Sequence, residues 1–442
     1  MLRTIDLRGR DVSAEELVSL VPRAAHDVKS AMDVVEPIIA DVRLRGLEAV
    51  RDASMRFDNI VPDQVRVPHT ALTAALEGLD SEIRKALEES IRRVRSFHEA
   101  TVPPDVCVDI APGAQVQYRW VPVRRVGLYV PGGLAVYPSS VVMNVVAAQA
   151  AGVSCIAVVS PPRVEAGGLP DETIMATCAL LGVDEVYAVG GAQAIAMLTF
   201  GVVYENGTAC VPVDVITGPG NRFVAAAKRA VQGIVGIDAE AGPTEVAVIA
   251  DKSADSLLVA ADLVSQAEHD PLAGAVLITD SESFAHAVIS DVEVAATHTR
   301  HSARVREALE GKQSGVVIVD DMNACIEVAD AYAPEHLEVI TENATDVAMR
   351  IRNAGAIFVG PTSPVSLGDY IAGSNHVLPT GGTARFTSGL GTTAFLKAMP
   401  IVNYSPAALD AVADHIVTLA EAENLPAHGE AIRARGGSER PA

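Results

Sequence analysis

The sequence predicts an α/β protein: two Rossmann-like domains, each an incomplete doubly wound parallel sheet, with an N-terminal helical arm and a C-terminal helical tail. Three observations predict it. Short Val/Ile/Ala-rich runs alternate with helix-length segments twice along the chain, first over 121–239 and again from about 240 to 380. Glycine pairs or Gly-Pro-Gly follow several of the apolar runs, as at Pro131-Gly132-Gly133, Gly190-Gly191 and Gly218-Pro219-Gly220. Aromatic residues make up only 4% of a chain that is 49% hydrophobic, so the core must be built from aliphatic side chains. Strand, glycine turn and helix in repetition give a parallel sheet with helices on both faces.

Taken in order, residues 1–25 form an arm, a strand or coil and then a helix that starts at Ser13 with Glu16 three residues on, a capping box. Residues 29–57 and 80–99 read as helices; Ile83, Leu87, Ile91 and Val94 recur at helical spacing. Residues 100–120 are Pro-rich and extended. Residues 126–130, 156–159, 185–189 and a short segment at Val215 read as strands, with helices at 141–152, 172–181 and 192–199 between them. The second series has strands at 244–250, 274–279, 314–319, 337–340 and 356–359, and helices at 253–269, 282–312, 321–331 and 344–353. The two series have the look of a distant duplication. In the tail, Ser405-Pro406 is a helix start, and Leu409, Val412, Ile416 and Leu419 make one stripe of a helix running to about Glu423; a short basic helix follows Pro426. These patterns divide the chain into an arm (1–25), a first α/β domain (26–120 with 240–380), a second (121–239) and a tail (381–442) of the kind that docks on a partner subunit.

Composition excludes several classes. The 34 basic and 56 acidic residues leave a net charge of −22, which argues against nucleic acid and anionic membranes. The stretch from Val126 to Pro162 carries no charge, but Pro131, Gly132, Pro138 and Gly152 cut it into pieces too short to span a bilayer. Five scattered cysteines without a CxxC pair suit a reducing compartment and argue against a disulfide framework. The N-terminus lacks the apolar run of a signal peptide, so the expected location is cytoplasmic.

The chemistry concentrates between Tyr332 and Thr380. Glu335-His336 sets a carboxylate beside an imidazole on a turn after Pro334. Asp369 and His376 fall in a glycine-punctuated loop closed by Pro379. Acid–base groups on turn backbone are what a catalytic cleft needs. At the end of helix 253–269, Gln266 and His269 are three apart and share a face. With a carboxylate such as Asp369 and a further histidine they would make a nitrogen/oxygen site suited to zinc; equally, His269 could cap its own helix.

Seven motifs in order resemble the histidinol dehydrogenase family over essentially the whole chain: 127–133 (Gly-Leu-Tyr-Val-Pro-Gly-Gly), 189–195, Gly218-Pro219-Gly220-Asn221, Ala241-Gly242-Pro243-Thr244-Glu245, 265–269, the 333–337 and 368–380 runs, and Glu423 with His428. The resemblance implies an NAD-dependent oxidoreductase that takes L-histidinol through L-histidinaldehyde to L-histidine, the last step of histidine biosynthesis, with two NAD and one zinc per subunit. It implies zinc ligands Gln266, His269, Asp369 and His428, and catalytic residues Glu335 and His336. Substrate contacts would be Thr244, His336, His376, Asp369, Glu423 and the zinc ligands, and NAD contacts Tyr129, Gln193 and Asn221. It also implies a homodimer with shared active sites, in which the exchanged tail brings His428 and Glu423 from the other chain.

This sequence departs from the pattern at Thr244, where the family often has serine, and keeps the hydroxyl. It also lacks G-x-G-x-x-G, since Phe223 stands where the third glycine would be. Rival readings are a related NAD-dependent dehydrogenase of another small amino or sulfo alcohol, a zinc hydrolase using Glu335 on water, and a non-catalytic metal-binding relative. Cys155 reads as a buried, inert thiol in mid-strand. His98, His286, His298, His301 and His415 read as solvated. Asp262, one turn before Gln266, is left undecided between a supporting role and simple exposure.

Overall fold

The computed structural model describes every residue except 1, 11, 25–27, 133–135, 205–208, 240–241 and 437–442. Gly133 and Ala241 of the motifs above therefore lie outside the described residues. The chain opens with β1 (Arg3–Asp6) and the helix Ala14–Leu20, whose Ser13 and Glu16 make the expected capping box. The helix predicted over 29–57 is broken: Val28–Arg45 and Leu47–Asp58 meet at Gly46, whose φ of 60° only glycine adopts at ease. Helices His69–Gly78 and Ser81–Ala100 follow.

The first winding comprises β2 (Arg125–Tyr129), α1 (Pro138–Ala150), β3 (Cys155–Ser160), the helix Glu172–Leu180, β4 (Val186–Ala188), α2 (Gly191–Phe200), β5 (Val215–Thr217), α3 (Arg222–Val231) and β6 (Gly236–Ile237). These strands form a five-stranded sheet in the order β6-β5-β2-β3-β4, parallel throughout. The chain winds outward from β2 to β4, then returns to lay β5 on the other flank of β2.

The second winding repeats the path. It runs through β7 (Glu245–Ala250), α4 (Ser256–Ala267), β8 (Gly274–Thr279), helices Glu282–His298 and Ser302–Glu310, β9 (Gly315–Ile318), the helix Met322–Tyr332, β10 (His336–Ile340) and β11 (Ala356–Val359). The six-stranded parallel sheet has the order β1-β9-β8-β7-β10-β11, with β10 laid on the far flank of β7 and β1 added at the edge. Both sheets are doubly wound, as the sequence predicts.

Side chains alternate across the second sheet with the period of two that a strand imposes. Val246 and Val248 pack on one face with Val259 and Leu263 of α4, while Ala247 and Ile249 pack on the other with Val328 and Tyr332. Helices of 28–100, grouped from the sequence with this sheet, contact helices of the five-stranded one. Val28–Arg45 packs on α2 and α3, His69–Gly78 on Glu172–Leu180, and Ser81–Ala100 on α1. Their aliphatic stripe of Val35, Ile39 and Val42 lies in one cluster with Ile195 and Val231.

Residues 102–123 and 396–442 form a separate compact unit. Its three-stranded antiparallel sheet pairs Ala114–Pro122 with Val106–Ala111 on one side and Leu396–Tyr404 on the other. Helices Pro406–Asp410, Ala413–Ala422 and Pro426–Arg433 complete it. The tail is thus not purely helical, and the helix expected from Ser405 to about Glu423 is interrupted after Asp410. Pro400 disguises the strand in the sequence; a proline is tolerated there because Leu396–Tyr404 is an edge strand.

Candidate active site

Most of the predicted side chains meet at the amino end of the six-stranded sheet. The helix Met322–Tyr332 closes on Ala333 in the left-handed conformation (φ 47°), and the turn through Pro334 and Glu335 feeds directly into β10 at His336. Such strain in a non-glycine residue marks backbone held in place by its surroundings. The buried Glu335 carboxylate accepts from the Thr244 hydroxyl at 2.6 Å and the Glu245 N–H at 3.0 Å, both through Oε2. Gly355 passes behind it, where a Cβ would lie 2.5 Å from the Glu335 carbonyl oxygen.

His336 is also buried, and its Nδ1 lies 3.2 Å from the Glu245 carbonyl oxygen. A carbonyl only accepts, so Nδ1 carries the proton and Nε2 holds the lone pair. Nε2 is sealed from solvent and has no hydrogen-bond partner among the described residues. Burial lowers the His336 pKa, with Asp369 and the Glu245 carbonyl opposing. The imidazole is thereby kept neutral, with its lone pair on Nε2. Burial pushes Glu335 up to about 8; its two donors pull down, Asp369 pushes up and His269 pulls down. Neighbouring Glu245, whose Oε1 accepts the Gly381 N–H at 3.1 Å, is raised by burial to about 7.

Gln266 is buried on the last turn of α4 and donates through Nε2 to Thr244 Oγ1 at 2.8 Å, which leaves its amide oxygen for another partner. A chain of hydrogen bonds thus runs from Gln266 through Thr244 to Glu335. His269 lies just past the helix, and its Nδ1 donates to the Gln266 carbonyl at 3.2 Å. It does cap its own helix, and that bond fixes the tautomer with a lone pair on Nε2, as a metal-ligating histidine requires.

Asp369 sits on the short helix α5 (Val365–Tyr370), where the sequence suggested a loop. Its carbonyl accepts from His376 Nδ1 at 2.9 Å, and His376 Nε2 faces the Ser140 hydroxyl at 3.3 Å. Burial lowers the His376 pKa, opposed by Asp369. One imidazole nitrogen, one amide oxygen and one carboxylate from Gln266, His269 and Asp369 form a donor set that fits zinc. Glu423 and His428 belong to the separate unit. Glu423 ends the helix Ala413–Ala422 and His428 lies on Pro426–Arg433, both exposed.

Glu338 lies two residues beyond His336 on the same face of β10, nearly inaccessible, with Oε1 accepting the Val365 N–H at the start of α5 at 2.7 Å. It interacts with Asp262 of α4. Burial and the Asp262 charge raise Glu338 to about 8, and burial raises Asp262 to about 6. Asp262 is therefore half-buried against a carboxyl group and not merely exposed. Sequence reasoning missed Glu338 and Ser140. The first is hidden inside an apolar strand, where a single acid two positions on from His336 is the available signal. The second lies on a helix too rich in small residues to single it out.

The NAD residues implied by the resemblance lie at the carboxyl end of the other sheet. Tyr129 ends β2; its buried hydroxyl accepts the Gly191 N–H at 3.1 Å, and burial pushes it up to about 12. Gly191 opens α2 with φ 62°. Asn221 caps α3, its side-chain oxygen taking the Phe223 and Val224 N–H groups at 3.0 and 3.2 Å, so its amide NH₂ is left to donate. Gln193 is buried on α2, its Nε2 3.5 Å from Asp58 Oδ2. Tyr129 and Asn221 flank the β2/β5 boundary where the winding reverses, the place where ligands bind on open α/β sheets.

Two expectations fail. Cys155 is exposed, because it is the first residue of β3 and faces out at the strand's amino end. His98 is buried, with Nδ1 on the Val94 carbonyl at 2.8 Å and Nε2 3.3 Å from Asn375. Its helix packs on α1. His286, His298, His301 and His415 are exposed.

The family model described as histidinol dehydrogenase matches residues 21–436. Curated histidinol dehydrogenases from Thermobifida fusca and Corynebacterium efficiens are 57% and 55% identical to this chain over 435 residues, which is 98% of it and 98% and 96% of theirs. The crystal structure of histidinol dehydrogenase from Elizabethkingia anophelis superposes with a TM-score of 0.91 at 31% identity, covering 98% of both chains.

Proposed function

The chain belongs to the histidinol dehydrogenase family, and from that membership we propose that it is a zinc- and NAD-dependent enzyme oxidising L-histidinol through L-histidinaldehyde to L-histidine. The observation that carries the reading is His336 Nε2, a buried lone pair with no partner among the described residues, held beside Glu335 by the Glu245 backbone. Bound NAD would supply the hydride acceptor for each oxidation, and zinc would supply a Lewis acid that helps position the substrate.

The chain's own groups do the rest. Gln266, His269 and Asp369 would hold the metal together with His428 of the other chain, and His376 with Glu423 of the other chain would orient the substrate. His336 Nε2 takes the hydroxyl proton as the alcohol becomes the aldehyde. Glu335, positioned through Oε2 and acting in its ionised form, takes a proton from water as that water adds to the aldehyde carbon. His336 then acts again on the hydrate, whose oxidation gives the carboxylate. Tyr129, Gln193 and Asn221 line the dinucleotide side, with residues 121–239 as the cofactor domain. The charge of −22 supports a small-molecule partner over nucleic acid. No helix among the described residues is long and apolar enough to cross a membrane.

A homodimer with shared sites is part of the same reading. It is supported by the separate unit, which leaves Val106, Val108, Ile110, Ile401 and Val402 exposed and presents Glu423 and His428 to solvent. Mixing two inactive chains, His428→Ala and Glu335→Ala, tests it: shared sites restore activity in the hybrid, and no recovery removes the exchanged tail. The reaction is tested by counting NADH formed per L-histidinol, with and without a chelator. Two NADH per substrate, lost on metal removal and restored by zinc, is the expected result. One NADH would remove the role of Glu335 on water.

A further inference from the structure

Gly218 follows β5 and has a φ of 117°; a Cβ there would lie 2.1 Å from the Tyr129 carbonyl oxygen. With no side chain, the residue has only its peptide groups by which to be held. Both are held by charge. The Gly218 N–H donates to Asp238 Oδ2 at 2.8 Å, and the Gly218 carbonyl accepts from Lys228 Nζ at 3.1 Å. Lys228 and Asp238 also form an ion pair with each other, with side chains only 1% and 5% exposed.

A buried ion pair is a poor device for stability alone, since an apolar pair of similar volume does as well. Here it closes a triangle with one peptide unit at its third corner. The triangle joins α3, which carries Lys228 among Val224, Ala225, Ala227 and Val231, to the end of β6, where the Asp238 N–H reaches the Ile216 carbonyl. The chain that leaves the triangle is Pro219-Gly220-Asn221, which turns tightly enough that a Cβ on Gly220 would sit 2.5 Å from the Val224 side chain.

We propose that Lys228 and Asp238 are positioning residues for NAD: they lock the 218–221 loop at the β2/β5 boundary so that its backbone and Asn221 are set to receive the dinucleotide. The proposal rests on the NAD reading above. Lys228, with all its reach spent on Gly218 and Asp238, does not itself touch the cofactor.

The test uses the full-length zinc-loaded enzyme in two double variants, Lys228→Met/Asp238→Leu and the milder Lys228→Met/Asp238→Asn. The dissociation constant of NAD and the KM values for NAD and L-histidinol are measured beside wild type, with zinc content and melting temperature. A positioning role raises the NAD constants about 10-fold in the milder variant, and more in the leucine variant, while zinc content and the L-histidinol KM stay at wild-type values. NAD constants within twofold of wild type in a folded variant would overturn the proposal. So would a parallel loss of NAD, histidinol and zinc binding with the melting temperature, which is the signature of a merely structural pair. Wild-type enzyme that fails to bind NAD would overturn the dinucleotide reading itself; wild-type binding with unaltered variants overturns only the clamp.

Discussion

The two sheets share one winding and use opposite ends of it. In the five-stranded sheet, Tyr129 ends a strand, and Gly191, Gly218 and Asn221 follow the carboxyl ends of strands. In the six-stranded sheet, Thr244 and Glu245 stand at the start of β7, and Glu335 and His336 at the start of β10. The general rule for open α/β sheets predicts the first arrangement and not the second. What separates the ends is side-chain chemistry. The carboxyl-end loops of the first sheet are rich in glycine, which lets backbone approach a ligand. The amino end of the second carries buried acids and imidazoles, each pinned by a peptide group. Ser140, just beyond the carboxyl end of β2, meets His376 from the other site, and there the two ends face one another.

The largest effect that would break this comparison comes from His336→Ala. It should lower kcat about 10²- to 10⁴-fold with the NAD KM unchanged, measured by steady-state kinetics with each substrate varied. A matching loss of NAD affinity would mean the two ends are not separate sites. The opposite pattern is expected for Gly218→Ala. The added methyl group collides with the Tyr129 carbonyl, and a strained φ costs about 1–3 kcal/mol, so NAD affinity falls while zinc content holds.

A third effect lies in pH. Glu335 is raised from 4.5 to about 8 in the folded protein, so folding takes up a proton there. Its contribution to stability is complete below pH 4.5 and is lost as pH rises through about 8. Melting curves of the metal-free protein should therefore slope downward across that range, and Glu335→Gln, which has no proton to lose, should flatten the slope. Parallel slopes for the two proteins would sink the assignment. The smallest effect is that of Ser140→Ala, which removes one hydrogen bond to His376 and should weaken L-histidinol binding by about 0.5–1.5 kcal/mol, read by calorimetry.

Much of this was legible in the sequence. The charge-free run from Val126 to Pro162 and the glycine turns mark out the first winding, and the repeated aliphatic runs from about 240 to 380 mark out the second, because strands buried on both faces have little room for charge. Glu335, His336, Gln266 and His269 stand in recognisable motifs. The hydrogen bonds of Glu335 and the tautomer of His336 were not legible, since those depend on Thr244 and the Glu245 backbone some 90 positions away. Lys228 was invisible for a different reason. Lys228-Arg229 near a helix end reads as a solvated basic turn, yet the helix buries the first of them. The antiparallel sheet of the separate unit escaped because its strands are exposed and lack a clean polar/apolar alternation.

Because each sheet keeps its candidate groups at one end, the other end is chemically idle. Cys155 opens β3 at the idle end of the five-stranded sheet with its sulfur in solvent. That makes it a natural anchor for a fluorophore. With the other exposed thiol, Cys107, changed to serine, a dye on Cys155 would report on the five-stranded sheet from the end opposite Tyr129 and Asn221.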